Sequence, residues 1–170
     1  MAVTIDAQAA RQDDPGSASK GMRTMPAAWP RAAFGFFAAV LSVLIFHQGM
    51  WAMLHAAKLM PAPYPTDQVA PFGLPRIVDL CFWGGMWGAL FGLILPILPD
   101  SAPLWLLGIG LGILAALVGL FVVSPLEGGA VAEGFAPMAF VISFLINGFW
   151  GFGVGLILPL MAPATAARAA

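Results

Sequence analysis

The sequence predicts an all-α integral membrane protein of four transmembrane helices, arranged as two parallel tandem helical-hairpin repeats. Composition is the first reason: of 170 residues, 61% are hydrophobic and 9% charged, with a mean hydropathy of +0.92, whereas soluble domains carry about 25% charged residues. Second, four apolar stretches reach the roughly 20 residues that a helix needs to cross a bilayer core. Third, a block of twelve residues occurs twice, 63 positions apart: Gly85-Met-Trp-Gly-Ala-Leu-Phe-Gly-Leu-Ile-Leu-Pro96 and Gly148-Phe-Trp-Gly-Phe-Gly-Val-Gly-Leu-Ile-Leu-Pro159 agree at eight of the twelve. That agreement exceeds what apolar composition alone produces, so a smaller membrane unit has been duplicated.

Residues 1–30 are expected to form a disordered cytoplasmic tail, because Asp6, Arg11, Asp13, Asp14, Lys20 and Arg23 stand among Ala, Ser, Gly and Pro with no apolar run. The tail is too polar for a secretory signal peptide, so the first span is expected to stay attached. A membrane domain follows at 31–163, with repeat one at 31–99 and repeat two at 103–163, and a short cytoplasmic tail at 164–170. The spans are expected at about 32–56, 76–98, 103–125 and 138–161. Each is a helix, because backbone polar groups in lipid must be satisfied within the segment and the period-two alternation of a membrane barrel is absent. The loop from Lys58 to Pro75 carries Pro61, Pro63, Pro65, Pro71 and Pro75 and is therefore extended and stiff. The loop before span 4 carries Glu127 and Glu133. Arg11, Lys20, Arg23 and Arg31 precede span 1 and Arg168 follows span 4, against Lys58 and Arg76 in the two longer loops. That bias places both termini in the cytoplasm of a bacterial-type inner (plasma) membrane.

Within the repeats, Gly84, Gly88 and Gly92 recur every four residues, as do Gly151 and Gly155, with Asn147 standing where the first copy has Gly84. Four-residue spacing lines small residues along one helical face and lets backbones approach closely. On this basis spans 2 and 4 are expected to meet at the axis relating the repeats, while Gly108 and Gly112 offer a similar face on span 3. Trp87 and Trp150 read as shape-filling side chains beside these notches, Trp29, Trp51 and Trp105 as interfacial anchors. Pro96 and Pro159 mark helix ends. Spans 1 and 3 match only weakly, near Ala38-Ala39 and Ala115-Ala116.

Polar side chains inside a membrane are costly, which makes each a candidate for function. They are His47, Gln48 and His55 in span 1, Asp79 in span 2 and Asn147 in span 4. At a rise of about 1.5 Å per residue, His47 and Asn147 lie at similar depth, and His55 and Asp79 within about a turn of the surface. His47 or Gln48 is therefore expected to reach Asn147, and His55 to approach Asp79, in competition with an Arg76–Asp79 pair at i and i+3.

No cofactor is expected. Both histidines lie on one span, which disfavours bis-histidine haem, and His47, His55 and Asp79 cover too much depth for a zinc or copper site. Cys81, the single cysteine, leaves no intramolecular disulfide and reads as an inert thiol. Seven Lys and Arg residues form no phosphate-tracking surface, so nucleic acid is not a partner; the partners are the lipid bilayer and, beyond it, a second copy of the chain or another membrane protein. Nucleophile–base pairs, intramembrane carboxylate pairs and phosphate loops are missing, so an enzyme is not expected. The function that fits is a structural or accessory membrane component. A transporter or channel for a small ion or solute is the alternative, and a redox or metal-associated subunit the second.

Overall fold

The computed structural model describes residues 28–69, 72–99 and 101–161; residues 1–27 of the expected N-terminal tail and the expected C-terminal tail, 164–170, lie outside the described residues. Four helices are long and apolar enough to cross a membrane: α1 Ala28–Ala56, α2 Arg76–Ile97, α3 Leu104–Leu126 and α4 Pro137–Met161. Ala28 to Pro30, assigned to the tail on composition, are the first turn of α1, where a proline costs no hydrogen bond. In the first loop β1 Gln68–Val69 pairs antiparallel with β2 Leu74–Pro75. Phe37, Ile45, Leu93, Leu114, Leu145 and Leu156 are exposed on the outer surfaces, a disposition that suits lipid and not water.

Proline and left-handed residues set the helix limits. Pro75 and Pro103 precede α2 and α3 in extended conformation, and Pro137 opens α4. Helix α1 closes in a Schellman motif: Lys58 N–H donates to His55 O (2.8 Å) and Leu59 N–H to Leu54 O (2.9 Å), with Lys58 at φ 61°. Helix α3 closes in the same way around Gly128, at φ 87°. Pro96 sits in a 3₁₀ turn, Leu95–Ile97, that ends α2, whereas Pro159 is carried inside the last turns of α4. Beyond α3, Ala132, Glu133, Gly134 and Phe135 take φ values of 49°, 51°, 67° and 60°, a left-handed turn.

Across the bundle the helices run in the order α2, α1, α4, α3. Helix α1 lies along both α2 and α4, α4 lies along both α1 and α3, and α2 touches α3 only marginally. The expectation that spans 2 and 4 meet is thereby corrected. Gly88 abuts Gly35 and Ala39 of α1, and Gly92 abuts the Arg31 carbonyl; Gly151 abuts Gly108 of α3, and Gly155 the Leu104 carbonyl. Each glycine face serves its own hairpin partner, because that partner supplies a matching small residue, Gly35 or Gly108. A side chain at any of these four positions would strike backbone.

The hairpins join along α1 and α4. Ser42 Oγ donates to Trp150 O (2.5 Å), and Trp150 Nε1 donates to Ala39 O (3.1 Å). Gly153 makes room for the Ser42 hydroxyl and the Phe46 ring, which stands edge-on to Phe149 at 5.4 Å. The buried core around this seam includes Ala38, Val43, Phe91, Leu95, Leu111, Val154 and Leu158.

Two π turns, Val43–His47 in α1 and Gly119–Val123 in α3, interrupt the α ladder. In the first, Gln48 N–H reaches Val43 O, five residues back. Such a shift widens the helix locally and re-aims the side chains beyond it.

Candidate functional site

Because α2 and α3 diverge, a cleft of about 940 Å³ opens between them in the half of the bundle that carries the two longer loops. Helices α2 and α3 form its walls, α1 and α4 its floor, and Gln68, Val69, Phe72 and Leu74 of the first loop border it. Both π turns border it, through Val43 and His47 on one side and Gly119 and Val123 on the other. It extends inward from Asp79 to Trp87, a depth of about 12 Å along α2. Beyond that, toward the chain termini, the apolar core of Phe91, Leu95, Leu111, Val154 and Leu158 fills the bundle.

Three of the five expected polar residues, His47, Asp79 and Asn147, line this cleft. Gly84 and Asn147, the mismatched pair of the repeat, face into it together with Trp87 and Trp150. The hydrogen bonds differ from expectation. Asn147 Nδ2 donates to Ser143 O of its own helix (2.9 Å), the local bond that a short polar side chain finds one turn back. Its Oδ1 remains as an acceptor.

Gln48 and His55 have another task, together with Trp51 and Tyr64. Gln48 is fully buried, and its Oε1 accepts the Tyr64 N–H (2.6 Å). Tyr64 Oη donates to Leu44 O (2.8 Å), a carbonyl within the first π turn. Trp51 Nε1 donates to Pro61 O (2.9 Å), and His55 Nδ1 bonds Met60 O (2.9 Å) instead of approaching Asp79. These bonds strap the proline-rich loop back along α1. The competing Arg76–Asp79 pair is also not made: Arg76 Nε bonds Asp67 Oδ2 at 2.8 Å, and Arg76 N–H bonds Asp67 O. The loop reaches Arg76 first because β1 and β2 fold Asp67 over the start of α2.

The strap sets the state of His47. Since Gln48 Oε1 is the acceptor for Tyr64, its Nε2 is a donor, and it faces His47 Nδ1 at 3.3 Å. A neutral His47 ring assigned from this network carries its proton on Nε2. His47 is 8% exposed, and its indole neighbour Trp51 lies 5.9 Å away, ring to ring.

Trp150 is buried and hydrogen-bonded within the seam, while Trp87 is half-buried at the inner end of the cleft. Glu127, read from sequence only as a loop charge, stands at the mouth. Tyr64 was not singled out, although the single tyrosine of the chain amid prolines was a visible signal. Among the described residues no group of three or more His, Cys, Asp or Glu side chains could hold a metal ion. Comparison with known protein families, curated proteins and solved structures finds no match.

Proposed function

We propose that the protein is an accessory component of a bacterial-type inner membrane that holds a small ligand in the cleft between α2 and α3. The convergence on one opening of both π turns and of His47, Asp79 and Asn147 carries this reading, since π turns in membrane and soluble helices gather at functional sites. The apolar core beneath the cleft favours binding over conduction. The distribution of Lys and Arg supports cytoplasmic termini and a cleft that faces outward.

The bundle reads further as two parallel hairpin repeats with glycine-zipper packing inside each. Supporting this, Gly35 meets Gly88 as Gly108 meets Gly151, and Arg31 meets Gly92 as Leu104 meets Gly155. This alignment differs by four residues from the weak match at Ala38-Ala39 and Ala115-Ala116. It places Ala115 opposite Ser42, Leu90 opposite Gly153 and Trp87 opposite Trp150. The two residues that close the α1/α4 seam, a hydroxyl donor and a glycine, are thus answered by a methyl and a bulky leucine at α2/α3. Loss of the donor and added bulk account for a seam that stays open.

Native mass spectrometry of the full-length protein extracted from its membrane tests the reading. A small adduct is expected that Trp87→Ala and His47→Ala release, with no solute uptake in proteoliposomes. Transport remains the second reading, favoured by the three polar side chains in one cleft; it predicts uptake that depends on pH through His47. Labelling of Ala62→Cys in intact cells by a membrane-impermeant maleimide tests the orientation, and labelling only after lysis would reverse it.

A further inference from the structure

We propose that the cleft selects a lipophilic organic cation, an ammonium-type centre attached to an apolar or aromatic body. This rests on the reading of the cleft as a binding site. Its lining holds one guanidinium, Arg76, whose charge is matched by Asp67 at 2.8 Å, the sole ion pair among the described residues. Asp79 and Glu127 then face the same space, and neither makes an ion pair among the described residues. Phe82, Trp83 and Trp87 stand beside them along the α2 wall. Aromatic faces next to uncompensated carboxylates attract a poorly hydrated cation and repel an anion of equal size. The volume, about 940 Å³, suits a drug-sized ligand and is far larger than a metal ion requires. Farther in, His47 is more than nine-tenths buried with Nδ1 occupied by Gln48, which leaves Nε2–H as a donor without a partner among the described residues, and Asn147 lines the same cleft with its side-chain oxygen left as an acceptor. The inner end therefore accepts a hydrogen-bonding group on the ligand body, while the positive centre stays near Asp79 and Glu127.

Three probes of similar shape test the charge selection: tetraphenylphosphonium, tetraphenylborate and neutral triphenylphosphine oxide. Each is titrated against the full chain in uncharged dodecyl maltoside micelles, and the saturable quenching of tryptophan fluorescence above empty micelles is read. Tetraphenylphosphonium alone is expected to saturate, with affinity about tenfold lower in Asp79→Asn and about threefold lower in Glu127→Gln, the more exposed site. Glu127→Gln keeps the test valid if Asp79→Asn does not fold. Cation binding unchanged in folded Asp79→Asn and Glu127→Gln proteins would overturn the proposal. Saturable binding of the neutral oxide with equal affinity, lost in Trp87→Ala, would also overturn it while leaving the cleft as a binding site. Failure of all three probes to saturate would remove both readings. Where the cation does bind, displacement by phosphatidylethanolamine but not by phosphatidylglycerol assigns the positive centre to a lipid headgroup entering between α2 and α3; displacement by neither assigns it to a free solute.

Discussion

The α1/α4 seam and the α2/α3 seam join the same two hairpins, yet one is closed and the other open. In the closed seam the Ser42 hydroxyl donates to the Trp150 backbone carbonyl and the Trp150 indole donates to the Ala39 carbonyl, while Gly153 admits the neighbouring side chains. On the proposed repeat alignment Ala115 and Leu90 hold the corresponding places beside Trp87, and the polar side chains His47, Asp79 and Asn147 line the opening between α2 and α3. Lipid gives no hydrophobic drive for helix association. On the proposed repeat alignment, a hydroxyl and a glycine mark the difference between the seam that closes and the one that stays open.

The comparison can be broken most severely by Gly153→Leu, which puts into the closed seam the bulk that Leu90 carries in the open one. It is expected to cost about 3 kcal/mol through overpacking against Phe46 and Ser42, visible as a large fall in the thermal midpoint in detergent. Trp150→Phe removes the indole donor and leaves the rest of the ring in place, and should cost about 1–2 kcal/mol in the same measurement. Ser42→Ala, which makes the seam resemble Ala115, should cost roughly 0.6–1 kcal/mol. The double substitution Leu90→Gly with Ala115→Ser sharpens the comparison from the other side. Its effect on stability should be the smallest, within about 1 kcal/mol, because a glycine in a helix offsets the new contact. Its effect on tetraphenylphosphonium binding should be a clear loss as the cleft narrows; unchanged binding would show that these two positions do not set the opening.

The four spans were legible because apolar length is a direct requirement of the bilayer, and their limits fall within a few residues of expectation. The glycine faces were legible too, but not their partners: spacing of four residues makes a face flat and says nothing about which helix lies on it. Gly35 and Gly108 supply that choice, and only the packed hairpin brings them opposite Gly88 and Gly151. His47 and Asn147 both line one cleft, whereas the expected bond between them is not made, because Asn147 finds the Ser143 carbonyl on its own helix. Gln48 and His55 were recognised as costly polar residues, and the loop that they hold was not foreseen as their partner. The first π turn left no mark, since Val43-Leu-Ile-Phe-His47 contains neither proline nor glycine.

The open seam has a consequence for how such a molecule can arise. Two identical hairpins associating as a twofold dimer are bound to have two identical seams, because every contact in one is repeated in the other. Such an ancestor could be closed on both sides or open on both, but not closed on one and open on the other. On the proposed duplication, joining the copies in a single chain removed that constraint. One seam was then free to hold the assembly together while the other diverged from it.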